Sequence, residues 1–170
     1  MTEINRSKNK QHIAKPIHSD TFTFPVRVYY EDTDAGGVVY HSNYISFFER
    51  ARTEWLRSLG YELDVLSAEQ HVVFVVKALN CDYLRPALFN DELFVSAEIL
   101  KLGNTSITFE QKILREVKDG DDRDGSEEKT SEKRYETLAI GNVTVVSVDT
   151  IKFKPKRVPK NILERIQNVI

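Results

Sequence analysis

Apolar and polar residues alternate along the segment that begins at Thr21. The apolar positions recur at every second residue: Phe22, Phe24, Val26, Val28 and Tyr30. A period of two places these side chains on one face and is typical of a half-buried β-strand. Pro25 has no N–H to donate to a strand ladder, which favours a position at a sheet edge or early in the strand. The pattern therefore predicts a first strand that ends near Tyr30.

A helical period follows between residues 43 and 61. Apolar side chains recur there at spacings of three and four: Tyr44, Phe48, Ala51, Trp55 and Leu59. Charged residues fill many of the positions between them, so the pattern predicts an amphipathic helix of about four to five turns. Ser42 or Asn43 is expected to cap its start, and Gly60 is expected to end it.

From Val72 onward the pattern is that of strands. Four runs are rich in β-branched or alternating apolar residues: 72–84, 93–101, 106–115 and 135–149. The Gly103-Asn104 pair between two of these runs is a hairpin signal. Residues 118–134 are almost wholly polar and are predicted to form a long, acid-rich hairpin loop. A short amphipathic helix is predicted over residues 160–168.

One strand, one long helix and then four strands favour an α+β fold with an antiparallel sheet, because parallel sheets need alternating strands and helices. A single long helix covers one face of such a sheet, so the other face is expected to need a partner, and a dimer is predicted. Residues 1–20 show no sustained period and are expected to be a disordered tail. Residues 21–170 are then expected to form one domain.

Composition narrows the class of protein. The 170 residues are 41% hydrophobic and 29% charged, with a formal net charge of −2, as in an ordinary soluble globular domain. A nucleic-acid-binding domain is usually basic, so that class is disfavoured. The chain has no run of 18 apolar residues and no recognisable signal peptide, and its single Cys81 excludes an internal disulfide. A cytoplasmic location is therefore expected.

The candidate chemistry lies between the first strand and the long helix, in Y-Y-E-D-T-D-A-G-G-V-V-Y-H. A polar connector is one reading of this stretch. A calcium-binding loop does not fit the sequence, because Gly36 and Asn43 occupy the positions where an oxygen-bearing ligand and a glutamate are needed. A magnesium-dependent phosphohydrolase that uses Asp32 and Asp34 is a further alternative, but enzymes of that kind have a parallel sheet.

Acyl-transfer chemistry accounts for more of the stretch. Gly36 and Gly37 let the backbone bend and approach a ligand closely. Val38 leads into a helix start, where free N–H groups and the helix dipole favour negative charge, as on an oxyanion. A carboxylate upstream of that start can attack a carbonyl or activate water.

The sequence resembles a known family at this point. Residues 29–54, from Y-Y-E-D-T-D-A-G-G-V-V-Y-H-S-N-Y to F-F-E-R-A-R-T-E, look like the signature of the hot-dog-fold acyl-CoA thioesterases. The resemblance is to the branch related to 4-hydroxybenzoyl-CoA thioesterase that is associated with the bacterial Tol-Pal cell-envelope system. The later V-V-K-A-L-N-C-D-Y-L-R-P-A is similar to the same branch, so the likeness spans residues 22–159.

The resemblance implies a five-stranded antiparallel sheet wrapped around one long central helix. It implies hydrolysis of acyl-CoA by homodimers that often pair into tetramers, with active sites at the subunit interface. It implies no metal and no cofactor, since coenzyme A is part of the substrate. Peripheral association with the inner membrane or with Tol-Pal-related proteins is a further expectation. A non-catalytic hot-dog module that binds acyl groups or envelope partners is the alternative.

The resemblance also implies roles for single residues. Asp34 matches the catalytic aspartate, as nucleophile or general base, and His41 matches the position whose backbone N–H polarises the thioester carbonyl. The His41 ring is a candidate for proton transfer. The resemblance also places the backbone of Gly36, Gly37 and Val38 around the thioester carbonyl.

Further positions are candidates for contacts with the substrate: Tyr40, Tyr44, Arg85, Lys154 and Arg157. Cations near the polyanionic coenzyme A are expected on charge alone. Structural roles are expected for Asp32, as a hydrogen-bonding partner of the turn, and for Glu49, as the partner of an arginine. A core or interface position is the simpler expectation for Tyr44 and Trp55.

Overall fold

The computed structural model describes residues 21–117 and 133–169. Its strands are β1 (Thr23–Arg27), β2 (Val72–Tyr83), β3 (Glu92–Ser96), β4 (Glu98–Leu102), β5 (Ser106–Val117) and β6 (Arg134–Asp149). Its helices are α1 (His41–Ser58), α2 (Leu63–Gln70) and α3 (Lys160–Gln167). The predicted tail at 1–20 and most of the predicted loop at 118–134 lie outside the described residues.

The strands form one antiparallel sheet in the order β1-β3-β5-β6-β2. β4, which follows β3 in the chain, also pairs with β5. The predicted α+β class with an antiparallel sheet is confirmed. β1 lies at one edge, as Pro25 predicts, and β2 lies at the other. β5 and β6 pair up to Val117 and Arg134, so the acid-rich segment joins two adjacent strands.

The sheet has six strands rather than five, because the predicted strand at 93–101 is broken. The ladder with β5 is interrupted at Ser96 and Ala97, although the register is the same on both sides, and the Ala97 N–H donates to the carbonyl of Phe22 at 3.3 Å. β3 and β4 then pair with different parts of the long β5: Val95 lies opposite Ile113, and Glu98 lies opposite Glu110. A period of two looks the same on both sides of such a break, so the pattern could not reveal it.

The first strand is shorter than its pattern predicts. β1 ends at Arg27, and Tyr30 begins a 3-10 turn, Tyr30–Asp32, that leaves its side chain 76% exposed. α2 was not predicted at all, because Leu66 is its one buried residue and a single position gives no period.

The predicted end of α1 agrees with the structure, whereas its predicted start does not. Gly60 ends it as predicted, with φ of +92° and its N–H bonded to the carbonyl of Arg57. The predicted cap at its start is wrong: the helix begins at His41, and no side chain caps it. The Asn43 amide instead donates to the backbone carbonyl of Asp32 at 2.9 Å.

α1 packs on the sheet through two apolar clusters. Near its start, Phe47, Phe48 and Ala51 are fully buried against the strands. Near its end, Trp55 and Leu56 pack with residues of β5, β6 and α3. α1 comes close to the sheet at Gly141 of β6, where an added Cβ would lie 2.5 Å from a ring carbon of Phe48. Among the described helices, none has the length and apolar character that a membrane span needs.

Candidate active site

A groove of about 360 Å³ opens at the start of α1. The residues lining it include one acid, one histidine and one arginine: Asp34, Val38, His41, Tyr44, Tyr83 and Arg85. Five of these six were candidates from the sequence, and the fold brings them together because the 33–39 loop, the end of β2 and the first turn of α1 meet there. Tyr83 was missed.

The loop that carries Asp34 is a tight turn. Its N–H donates to the carbonyl of Val38 at 2.9 Å, and its own carbonyl accepts from the N–H of Gly37 at 3.0 Å. The side-chain Oδ1 accepts from the N–H of Gly36 at 2.7 Å. Within the described residues the other carboxylate oxygen, Oδ2, has no hydrogen-bond partner. One oxygen thus orients the exposed carboxylate and the second is left for chemistry.

Glycine is needed at two positions of this loop for two different reasons. Gly37 has φ of +76°, in the left-handed region that side chains disfavour. At Gly36 a Cβ would lie 3.0 Å from Asp34 Oδ1, so a side chain would crowd the carboxylate. Both glycines therefore serve the shape of the loop that presents Asp34.

Asp32 ties this loop to the helix start. Its side chain is buried, and Oδ2 accepts from the Tyr29 N–H at 2.8 Å. Its backbone carbonyl accepts from the Tyr40 N–H and from the Asn43 amide, each at 2.9 Å. The structural role predicted for Asp32 agrees with these contacts. Glu31 is exposed, and nothing in the structure explains why an acidic residue occupies this position.

The start of α1 offers unused donors. Because no side chain caps the helix, the N–H groups of His41 and Ser42 have no partner within it. The helix dipole adds positive potential at this end. Both residues are exposed, so the donors are open to a ligand in the groove. An oxygen that gains negative charge would be stabilised here.

Tyr83 connects β2 to this first turn. Its O–H donates to the backbone carbonyl of His41 at 3.0 Å, and its ring meets the edge of Tyr44 at 5.3 Å between centroids. Burial, and then a hydrogen bond to Cys81, raises the pKa of Tyr83 to about 12. A tyrosine hydroxyl is protonated at neutral pH even without such a shift, so Tyr83 acts here as a donor. In the sequence, Tyr83 is recognisable only as an apolar position in a strand.

Tyr44 has the core position expected of it and also contacts the groove. It is 3% exposed, and its hydroxyl accepts from the Ala87 N–H at 2.9 Å. Burial raises its pKa above the usual range of a phenol, so it is not a base. Tyr40 is 47% exposed and its ring lies 4.2 Å from the His41 ring, centroid to centroid.

The three candidate cations separate into two groups. Arg85 lines the groove, with 59% of its side chain exposed and an ion pair to Glu136 at 3.2 Å. Lys154 and Arg157 follow β6 at its far end. Leu138 lies beside the groove, since its carbonyl accepts from the N–H of Arg85. Asp149 is eleven residues further along β6, roughly 36 Å in a strand. Lys154 and Arg157 are therefore remote from the groove of their own chain.

A second, smaller cavity of about 110 Å³ lies further along α1 and was not predicted. Its lining is mostly apolar, with Trp55, Phe74 and Phe109, and it is polar at Glu49 and Arg52. Arg52 donates to Gln111 Oε1 at 2.7 Å; burial lowers its pKa, and the charge of Glu49 opposes that shift. Glu49 thus supports an arginine electrostatically, as predicted, and accepts from the Thr53 hydroxyl at 2.9 Å.

The phosphohydrolase alternative has no support in this geometry. The sheet is antiparallel, whereas that alternative depended on parallel strands. The carboxylates of Asp32 and Asp34 accept from different backbone N–H groups, at Tyr29 and Gly36. In the part of the chain that the structure describes, no group of three or more metal-binding side chains comes together.

Comparison with known proteins gives one family. The model of the Thioesterase superfamily matches residues 36–120. The acyl-CoA thioesterase YbgC of Haemophilus influenzae is 43% identical over 83% of this chain and 90% of its own length. The acyl-CoA thioester hydrolase YbgC of an Escherichia coli O6:H1 strain is 42% identical over 86% of this chain and 96% of its own length.

A solved structure agrees with these sequence relatives. A probable thioesterase from Bartonella henselae superposes with a TM-score of 0.68 at 30% identity, over 82% of this chain and 99% of its own. The sheet packed on one long helix is therefore the hot-dog fold that the sequence motif predicted. From the family match, these relatives and this fold, we conclude that the chain belongs to the Thioesterase superfamily.

Proposed function

We propose that this chain hydrolyses acyl-CoA thioesters to a free acid and coenzyme A, in the groove beside Asp34. The observation that carries the proposal is that a carboxylate oxygen without a hydrogen-bond partner and an uncapped helix start lie in the same groove. The relatives at 42% and 43% identity are named as acyl-CoA thioesterases or thioester hydrolases, which supports the same reaction. The intact Asp34 favours an enzyme over a non-catalytic acyl-binding module.

Two routes fit the groove. In the first, Asp34 attacks the thioester carbonyl carbon, the C–S bond breaks, and coenzyme A leaves as a thiolate that takes up a proton. Water then hydrolyses the mixed anhydride, which releases the acid and restores the carboxylate. In the second, Asp34 takes a proton from a water molecule that attacks the carbonyl carbon directly; the C–S bond then breaks, and the proton passes to the departing coenzyme A thiolate. Both routes place the carbonyl oxygen at the N–H groups of His41 and Ser42, where the negative charge is stabilised.

The remaining groove residues bind and orient the substrate. Arg85 is exposed at the groove and can meet a phosphate of coenzyme A while it keeps its ion pair with Glu136. Tyr40 lies next to His41, where an acyl or pantetheine segment would pass. The chemistry needs only water and the thioester, so we propose no metal and no cofactor.

The test of this function is hydrolysis of a panel of short aliphatic, aromatic and long-chain acyl-CoAs. Release of coenzyme A is followed with a thiol reagent, after subtraction of the stoichiometric reaction of Cys81. Turnover of at least one member is expected. Binding of acyl-CoA without turnover of any member would instead support the acyl-binding module.

Replacement of His41 by alanine is expected to lower kcat less than replacement of Asp34 does, by less than about 10²-fold. The reason is that the backbone N–H at the helix start survives the change, whereas the imidazole is lost. Steady-state kinetics on the best substrate of the panel measures the effect. A loss as large as that of Asp34→Asn would show instead that the ring is essential.

We further propose that the chain self-associates through β2. This strand lies at a sheet edge, and none of the described strands pairs with its outer side. Its side chains include exposed apolar residues, among them Val75, Val76 and Leu79. A long apolar edge strand is a template for pairing with another chain. A homodimer, with a tetramer as a further step, would cover it. Association with envelope partners and a cytoplasmic location stay predictions of the family resemblance.

Replacement of both Val76 and Leu79 by lysine is expected to shift the protein from dimer toward monomer, because like charges would face each other across the pair. Sedimentation velocity measures the change. Val65→Lys is the matched control, since Val65 is also exposed and apolar but lies on α2. A wild-type protein that sediments as an active monomer would contradict the dimer.

A further inference from the structure

Tyr83 donates a hydrogen bond at an end of α1 where donors are already in excess. Its O–H meets the backbone carbonyl of His41 at 3.0 Å. The first turn of an α-helix has unpaired N–H groups, whereas its carbonyls accept from N–H groups one turn further on. The start of α1 therefore needs acceptors, and no side chain supplies one. The hydrogen bond from Tyr83 does not complete the helix and needs another explanation.

The carbonyl that Tyr83 contacts belongs to the same peptide group as the N–H of Ser42. The His41 C=O and the Ser42 N–H are the two ends of one planar unit. This N–H has no partner within α1 and is one of the two donors that face a developing oxyanion in either route of hydrolysis. A hydrogen bond to the carbonyl fixes the plane of the peptide and strengthens its N–H as a donor, by about 10–30% per bond. Tyr83 is therefore placed to act on the Ser42 N–H without touching the substrate.

The sheet and the core hold the Tyr83 side chain in place. Tyr83 is the last residue of β2. The N–H groups of the next two residues, Leu84 and Arg85, both donate to the carbonyl of Leu138, at 2.8 and 3.0 Å. The Tyr83 ring also packs at 84° to the ring of the buried Tyr44. A donor fixed by packing and by backbone hydrogen bonds keeps its direction, as the support of a functional site requires.

We propose that Tyr83 is a positioning residue for hydrolysis, which orients and polarises the peptide group between His41 and Ser42 so that the Ser42 N–H binds the oxyanion more strongly. This inference rests on the function proposed above. The transition state carries more negative charge on the carbonyl oxygen than the bound thioester does. A stronger donor at that oxygen therefore stabilises the transition state more than the substrate, and Tyr83 affects kcat more than KM.

The first test compares Tyr83→Phe with the wild type in steady-state kinetics on the best acyl-CoA of the panel. The variant loses the hydroxyl and keeps the ring that contacts Tyr44. We expect kcat to fall by about 3- to 10-fold, because one neutral hydrogen bond is lost while the Ser42 N–H itself remains. KM is expected to stay within about two-fold of the wild type. The thermal midpoint should stay close to that of the wild type, since the ring still fills its place.

Tyr135→Phe is the matched control. Tyr135 is also a strand tyrosine, and its ring meets Phe94 at 5.6 Å between centroids and 83°, much as Tyr83 meets Tyr44. Its hydroxyl has no hydrogen bond with any other described residue, and it does not line the groove. Its kcat should therefore stay within about two-fold of the wild type.

The second test observes the peptide group directly, in the full chain without substrate. A hydrogen bond to a carbonyl changes the electron distribution of its peptide group, and the amide nitrogen resonance of the next residue reports that change. The Ser42 amide nitrogen resonance is expected to move in Tyr83→Phe and to stay in place in Tyr135→Phe. If the wild type hydrolysed no member of the panel, the proposed function and the role of Tyr83 in it would both be wrong. Wild-type kcat in Tyr83→Phe would overturn the role of Tyr83 alone.

Other outcomes would also overturn this role. A loss far above 10-fold, toward the roughly 10²–10³-fold that follows removal of an oxyanion donor, would make Tyr83 a direct donor to the substrate. A raised KM at unchanged kcat would assign the hydroxyl to substrate binding. A lower kcat with an unmoved Ser42 resonance would show that the effect does not pass through the peptide group.

Discussion

Replacement of Asp34 by asparagine is expected to lower kcat for acyl-CoA hydrolysis by at least about 10²-fold, the lower end for a positioned acid–base group. The amide removes the charge that either attacks the carbonyl or activates water. It keeps the shape of the side chain, and its oxygen can still accept from the Gly36 N–H. The loop should therefore fold as before, so that the loss appears in kcat and not in thermal stability. Steady-state kinetics and a thermal melt on the same preparation measure both.

Glu31→Gln is the matched control for this prediction. Glu31 is an exposed acid three positions earlier in the same stretch, and it has no role in the groove. Its replacement removes one charge from the region without touching the helix start, so kcat should stay within about two-fold of the wild type. If Asp34→Asn hydrolysed acyl-CoA as fast as the wild type, the assignment of Asp34 as nucleophile or base would be wrong. A similar loss in both variants would assign the effect to the general charge of the loop.

Replacement of Gly141 by alanine is expected to destabilise the fold by about 2–3 kcal/mol, in the upper part of the range for overpacking. The added Cβ would lie 2.5 and 2.8 Å from two ring carbons of Phe48, which is fully buried and cannot swing aside. α1 would have to move away from β6, and the start of the helix would move with it. Urea unfolding measures the change.

A second substitution distinguishes this cause from a general cost of changing a strand glycine. Phe48→Leu removes the ring carbons that the new methyl group would strike. Alone it should destabilise the core, because it leaves a cavity. Combined with Gly141→Ala, it should cost at least about 1 kcal/mol less than the sum of the two single changes. Strict additivity would show that the methyl group and the ring do not collide.

The local pattern of the sequence predicted those elements whose burial is periodic. α1 and the strands of the β5–β6 hairpin have a continuous apolar face, so period and length were enough. The start of α1 was misplaced because Ser42 and Asn43 are good capping residues by type. Here the Asn43 side-chain amide donates to the Asp32 carbonyl instead, and the helix begins at His41 without a side-chain cap. That difference can be seen only when the 33–39 loop is in place.

The candidate site was predictable where it is local and not where it depends on strand register. Asp34, Gly36 and His41 lie within eight residues, so a motif can hold them together. Tyr83 reaches His41 only because β2 pairs with β6 in the observed register, with Tyr83 opposite Ala139. Lys154 and Arg157 were predicted near the substrate from charge alone, and charge says nothing about which end of β6 they occupy.

The position of β2 in the sheet has a consequence for synthesis on the ribosome. β2 ends at Tyr83, and its one described partner strand, β6, is complete only at Asp149, 66 residues later. At about 5–20 residues per second, the nascent β2 waits roughly 3–13 s for its partner. During that time both of its edges and its apolar side chains are available to other chains. The homodimer proposed above requires that β6 of the same chain pairs with β2 before another chain does, so translation rate and chaperone access are expected to influence the yield of native protein.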